Sequence, residues 1–494
     1  MRQQTKRPIE EMGISEITFD PKSRDDIPPL LRGLQYIFIT PEIRDQVFVI
    51  LHTILPQKID ITQGRPGLDL WRIFVMGILR VNLNWDYDRL HEMVNHHETI
   101  RQILGHGQKD DGERYGLQRL KDNLALLTPE ALDKIDQQVI KAGHEIIKNT
   151  PSDNEEESDT SGDSLKGRCD SFVVETHIEY PSDTRLLFES IRKLIELLLP
   201  LCLFFNLFML KGKNERKALK KDYHILRSLK HSTSKNDDKK QAREAEITAA
   251  CEVYLDHARA LLSWADSTLS LLRKLRPPEA LVEIESFREY AVLFLDQVRR
   301  RVIQGETIPH EEKVFSIFKP YSEWISKGKA GVPFELGLKV CVLEDPYQFI
   351  LFHHVMIQET DDKIAVIMVD QAKSRFPGLN QCSFDRGFYS PENQKELASR
   401  LDFVVLPKKG RLSVVQAKHQ QDPKFIDARH QHAAVESCIN ALEAHGLDRC
   451  RDYGINRFKR YVALAVTGRN IQLLGVYLRR YEAAQKKANF LQAA

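Results

Sequence analysis

The run Arg168–Ile178, RCDSFVVETHI, decides the fold. Phe172, Val173 and Val174 are strand formers, and a carboxylate, Asp170, stands beside them where burial without a partner would be costly. No second strand follows directly. After a turn at Tyr180–Asp183 the chain reads as helix from about 185 to 305, and strand texture returns only from residue 333. There FELGLKVCVLED (334–345) and FILFHHVMI (349–357) form a predicted hairpin around DPYQ. DDKIAVIMVDQAKSRF (361–376) is helical, LNQCSFD (379–385) is a strand, and SPENQKELASR (390–400) is a helix with Ser390 as N-cap and Pro391 at its first position. LDFVVLP (401–407) is a strand, a helix covers about Asp427–Ala444, and a last one runs from about Arg457 to Ala488.

With the long helical block set aside, the order is strand, two strands, helix, strand, helix, strand, helix. That is a mixed α/β layer architecture, and its order matches a ribonuclease H-like fold interrupted by a helical insertion. Upstream, residues 31–150 repeat apolar positions every three or four residues, the mark of an all-α domain. In Asp69–Asn82 the residues Leu70, Phe74, Ile78 and Val81 share one face behind a GRPG turn, and a second helix starts near Asp86. Two short helices joined around Asn84 have the skeleton of a helix-turn-helix, as do many plain helical bundles. Residues 1–30, with Pro8, Pro21, Pro28 and Pro29, read as an irregular arm. PSDNEEESDTSGD (151–163), with six acids and no large apolar side chain, is a linker by composition.

The chain has 494 residues, room for several domains, and its 72 Lys and Arg almost cancel its 70 Asp and Glu. A net charge of +2 excludes a uniformly basic nucleic-acid binder. The balance hides one asymmetry: Lys211–Arg243 holds twelve basic residues against four acids. That segment is either a solvated helical hairpin or a surface that tracks phosphates. Seven scattered cysteines without a CxxC pair predict reduced thiols and no zinc site. The N-terminus lacks the apolar core of a secretory signal. Leu194–Leu210 is apolar but carries Glu196, Pro200 and Asn206, so it reads as a buried helix broken or kinked at Pro200, and no membrane partner is expected.

Neither a GxxxxGKS loop nor a GxGxxG after a strand is present, so nucleotide-binding readings lack their anchor. HEMVNHH (91–97) fails as a zinc-protease helix because Asn95 stands where the second ligand belongs. The positive signal is three acids on different elements: Asp170 in the first strand, Asp385 at the end of a later one, and Glu436 within a helix. Hard cations such as Mg2+ take oxygen ligands, and carboxylates gather at the carboxyl edge of α/β sheets. Each acid also has a plain reading, as an edge-strand, turn or surface-helix charge.

Beyond this pattern, the chain resembles the ISNCY-type insertion-sequence transposases of the DDE superfamily from about residue 25 to 480. The resemblance is carried by GRPGLDLWRIFVMGILRVNLNWDYDRLHEMVNHHETIRQILGH, DSFVVETHIEYPSDTRLL, EWISKGKAGVPFELGLKVCVLED, CSFDRGFYSPENQ, HAAVESCINALEAHGLDRC and FKRYVALAVTGRNIQLLG. It implies a DNA transposase in which Asp170, Asp385 and Glu436 are the catalytic, metal-holding triad. Two Mg2+ ions are expected, with Mn2+ as substitute, cleaving element ends and joining their 3′-hydroxyls to target DNA. It further implies a homodimer on DNA, terminal-repeat recognition by residues 31–150, and a bacterial cytoplasmic protein, nucleoid-associated when bound. The superfamily's Arg four residues before the Glu is His432 here, with Arg429 nearby, so both are phosphate-contact candidates. So are Lys327, Lys329 and Lys408, Lys409 and Arg411, with Trp324 as a base-stacking candidate; basic surface loops are the alternative reading. The expected division is 1–30 arm, 31–150 helical domain, 151–165 linker, 166–184 with 316–455 catalytic core, 185–315 insertion and 456–494 C-terminal helix. A nuclease that cuts without joining, or a non-catalytic DNA-binding relic, are the competing functions.

Overall fold

The computed structural model describes residues 13–20, 22–55, 67–106, 112–151, 164–178, 180–207, 212–231, 237–326 and 334–493. The acidic linker, the GRPG turn apart from Gly67, and Lys327 and Lys329 lie outside these residues. The chain forms two compact units, one of residues 1–177 with 325–494, the other of residues 178–324.

Among the described residues of the first unit, seven helices precede the sheet: α1 (Ile27–Ile39), α2 (Pro41–His52), α3 (Leu70–Asn82), α4 (Tyr87–His96), α5 (Glu98–Ile103), α6 (Leu117–Leu124) and α7 (Pro129–Lys148). Asp69 caps α3 by accepting from the Trp71 and Arg72 amides, and Asp86 caps α4 through the Arg89 amide. Asn84 takes a positive φ in the turn between them. Almost every residue of α3 is buried, which makes it the centre of a bundle. On α4 the exposed residues include Asp88, Arg89, Glu92 and His96, a face without cationic excess.

The sheet contains β1 (Leu165–Thr176), β2 (Glu323–Ser326), β3 (Phe334–Glu344), β4 (Ile350–Val355), β5 (Leu379–Phe384), β6 (Phe403–Val405) and β7 (Arg449–Cys450). Its path runs β2-β3-β1-β5-β6, with β4 on β3 and β7 on β1. The β1–β3 and β3–β4 pairs are antiparallel, whereas β1–β5 and β5–β6 are parallel. The architecture is thus mixed α/β around a mixed sheet, as expected. The DPYQ turn closes the β3–β4 hairpin because the Asp345 carboxylate accepts from the Tyr347 and Phe349 amides while Gln348 takes a positive φ.

Helices α12 (Asp361–Arg375) and α13 (Pro391–Ala398) cover one sheet face. There Cys169, Cys341, Cys382 and Phe384 pack with Ile364, Met368 and Val369 of α12. The opposite face receives α15 (Pro423–His432) and α16 (Val435–Leu442), which follow the short α14 (Val414–Gln420). The helix expected over 427–444 is therefore two helices with a break at Ala433–Ala434. The final helix, α17 (Ile455–Ala493), packs along α1, α3 and α7. Its small residues allow close approach: a Cβ on Gly475 would lie 1.9 Å from the Pro29 carbonyl oxygen. Asn470 of α17 donates to buried Asp136 of α7 at 3.0 Å and ties both to Ile350 of β4.

The second unit is helical: α8 (Asp183–Phe204), α9 (Gly212–His231), α10 (Asp237–Leu275) and α11 (Val282–Val298) around a core of Leu187, Ile191, Tyr254, Leu255 and Phe294. Pro200 does not end α8, which continues through it to Phe204. Among the described residues no helix is long and apolar enough to cross a membrane.

Candidate active site

In the β1–β5 register Arg168 faces Ser383 and Cys169 faces Phe384. Asp170 and Asp385 are the next residue of each strand, so parallel pairing brings them side by side at the point where β5 ends. Side chains alternate along a strand. Because Cys169 and Phe384 enter the α12 core, Asp170 and Asp385 belong to the face covered by α15 and α16. Glu436 is the second residue of α16, which packs on β1. Sheet order and one helix thus converge the three predicted acids.

Electrostatics agree with that placement. Burial, then the negative charges of Asp385, Asp361 and Glu436, push the Asp170 carboxyl up to about 6, against a counteracting hydrogen bond from the Ser171 amide at 2.7 Å. Asp385 and Glu436 are exposed. Asp385 caps a short turn through the Gly387 amide at 3.4 Å.

Asp361, which the sequence reading passed over, is a fourth acid of this neighbourhood. It opens α12, accepts from Ser171 Oγ at 2.7 Å and pairs with Lys339 Nζ at 3.0 Å. A Cβ on Gly387 would lie 3.0 Å from its Oδ2, so the glycine after Asp385 leaves room for this carboxylate. An acid in the first turn of a helix that starts at the sheet edge was the available signal.

The other candidates separate into those near the acids and those elsewhere. Lys409 Nζ donates to the Gly387 carbonyl at 3.3 Å, which places the 408–411 loop beside the Asp385 turn. Lys408 donates to Gln416, and Arg411 is exposed. His432 sits within hydrogen-bonding distance of Ser383 Oγ, at 3.0 Å from Nδ1, and burial lowers its pKa. Arg429, on the same helix, is exposed. Trp324 is half-buried within the helical unit, tilted on Phe315 with ring centroids 5.6 Å apart and edge-on to Tyr180 at 6.3 Å.

Three carboxylates present only hard oxygen donors, the chemistry that Mg2+ and Mn2+ require. In donor type, though not in a closed arrangement, the three carboxylates are what such an ion takes. Among the described residues, however, no three His, Cys, Asp or Glu side chains are posed as a closed ligand group. Comparison of the chain with protein-family models, with curated proteins and with solved structures returns no match to any of them.

Proposed function

We propose that the chain is a metal-dependent phosphoryl transferase acting on DNA, a DDE transposase with a ribonuclease H-like catalytic core. The observation that carries the reading is the placement of Asp170 and Asp385 side by side on parallel strands with Glu436 delivered from a helix packed on the same face. An antiparallel β1–β3–β4 group extended by parallel β5 and β6 supports the fold assignment.

Divalent cations held by Asp170, Asp385 and Glu436 would supply Lewis-acid activation of a water or 3′-hydroxyl and of the scissile phosphodiester. The chain's own work is then positioning and charge placement. Strand pairing fixes the spacing of Asp170 and Asp385. The Ser171 amide holds one Asp170 oxygen, and Lys339 with Ser171 Oγ neutralises and orients Asp361 beside the Asp385 turn. Lys408, Lys409 and Arg411 would meet backbone phosphates of the DNA that enters there. No side chain need become covalently attached to substrate.

In the helical unit, Leu219, Tyr223 and Leu226 of α9 face inward while Arg216, Lys217, Lys220, Lys221, Arg227 and Lys230 are exposed. This basic stripe gives DNA a second phosphate-contact surface. Joining two element ends to one target calls for two copies of the chain.

The test is an assay with labelled DNA from the regions flanking the coding sequence, in Mg2+ or Mn2+. Wild type is expected to shorten and then join the labelled 3′ end. Asp385→Asn should abolish both steps while DNA binding stays within about threefold, since only one ligand charge is lost. Shortening without joining would assign a nuclease, and full activity of the variant would remove Asp385 from the site.

A further inference from the structure

One row upstream of the acids lies an unusual set of polar side chains. In the sheet register Arg168 pairs with Ser383 on β5 and with Glu344 on β3. These three lie two residues before Asp170, two before Asp385 and across the strand, on the face that α15 and α16 cover. Glu344 is fully buried. Arg168 Nε lies 2.9 Å from its Oε1, close enough for an ion pair though outside hydrogen-bond angle. Burial pushes the Glu344 carboxyl up to about 7, with the Arg168 charge acting against it.

Arg168 and Ser383 both reach the end of α15. Arg168 Nη1 donates to the Gln431 carbonyl at 3.3 Å and Nη2 to the Asp345 carbonyl at 2.8 Å. Gln431 belongs to the last turn of α15, where a cation is favourable, and its carbonyl also accepts from the Ala434 amide at 3.2 Å. Ser383 Oγ meets His432 at 3.0 Å. Ala433 and Ala434 follow, keeping right-handed helical φ/ψ but closing i→i+3 turns, and Glu436 appears on α16. Alanines do not break a helix by themselves, and the two contacts lie directly before the change from i→i+4 to i→i+3 turns.

Resting on the phosphoryl-transfer reading, we infer that Arg168 and Ser383 are positioning residues, which, backed by Glu344, clamp the α15–α16 junction to the acid-bearing strands and thereby set the position of Glu436. Buried Glu344 fixes the guanidinium. The guanidinium and the hydroxyl fix residues 431–432. Those residues fix the start of α16. Groups that orient ligating side chains are known to tune metal affinity without touching the ion.

The test uses the full chain in two measurements. Without metal, amide hydrogen exchange is compared among wild type, Arg168→Ala, Arg168→Lys, Ser383→Ala and Ser383→Thr. Arg168→Ala and Ser383→Ala should speed exchange at residues 433–440 roughly fivefold or more, while β1 and β3 amides hold within about twofold. Ser383→Thr, which keeps the hydroxyl, should stay near wild type, and Arg168→Lys, which reaches fewer acceptors, should fall between. With Mn2+ alone as probe, calorimetry should show roughly tenfold weaker binding for Arg168→Ala, a loss that disappears in a Glu436→Gln background because both act through one carboxylate. Unchanged exchange at 433–440 in both alanine variants, or an Mn2+ loss that persists undiminished in the Glu436→Gln background, would overturn the inference. If wild type neither binds Mn2+ nor cleaves DNA, the phosphoryl-transfer reading falls, and with it the role in setting a ligand; the exchange measurement then still decides whether the clamp exists.

Discussion

Asp170→Asn is expected to make the metal-free protein more stable at pH 8. The Asp170 carboxyl is held at about 6 against an ordinary value of 3.8. About two pH units at ~1.36 kcal/mol each set a ceiling of about 3 kcal/mol on what ionisation of this one group costs the folded state. Asp170 is partly open to solvent, so screening reduces the expected gain to about 1–2 kcal/mol. Asparagine keeps the size of the side chain, and its amide oxygen can accept the Ser171 N–H. The direction follows from linkage. An acid held above its unfolded value favours the folded state fully below about pH 4, and that contribution is lost as pH rises through about 6. The difference between wild type and variant should therefore be small near pH 4, open between 4 and 6, and level off by pH 8. Urea unfolding in EDTA at pH 4, 6 and 8 measures it, following whichever transition carries the sheet, since the chain has two compact units. Mg2+ should then stabilise wild type and not the variant. A variant less stable than wild type at pH 8, or a difference independent of pH, would refute the reasoning.

Three further outcomes can be checked. Asp452 accepts from buried Arg80 at 2.7 Å and pairs with Arg460 at 3.4 Å; Asp452→Ala leaves a buried guanidinium uncompensated and should lower stability by about 3–5 kcal/mol in urea titrations. Gly475→Ala forces a methyl onto the Pro29 carbonyl, so α1 and α17 must part, and a loss of about 3 kcal/mol or more is expected by the same method. Replacing Lys408, Lys409 and Arg411 together by Ala should make the slope of log DNA affinity against log salt shallower by about two to three, as fluorescence anisotropy across a salt series would show.

Five strands of the sheet were legible because their signals are local, whereas the short β2 and β7 were not foreseen. Phe172–Val174 and Phe403–Val405 carry strand formers, Ser390 and Pro391 mark a helix start, and DPYQ forms its turn through its own Asp345. The split of 427–444 into α15 and α16 had no such marker. Ala433 and Ala434 favour helix, and the anchors come from Arg168 and Ser383, more than 250 and nearly 50 residues upstream. The short α14 was missed although its signal was present: Ser413 and Gln416 form a reciprocal capping box. Asp361 looked like an ordinary first-turn acid. Its meaning depends on Gly387 and Ser171, brought to it by strand pairing. Likewise the α17 packing on α1, α3 and α7 joins residues such as Asn470 and Asp136, which no local pattern connects.

Asp170 differs from the acids that the protein itself pairs. A carboxylate kept for structure is normally given its counter-charge by the protein, because leaving a partly buried charge unpaired is unfavourable. Asp361 follows that rule with Lys339 and Ser171. Asp452 follows it with two arginines. Asp170 does not: its hydrogen bond comes from a backbone amide, and no Lys or Arg among the described residues pairs with it, although its nearest charges are three other acids. Lys339 stands on the neighbouring strand but is committed to Asp361. Asp170, partly buried beside Asp385, Asp361 and Glu436 and without a paired cation among the described residues, leaves negative charge in excess at one place, and under the proposed function a divalent cation would offset it. Mg2+-dependent stabilisation of wild type, absent in Asp170→Asn, is the direct consequence; stabilisation of equal size in both would locate the cation elsewhere.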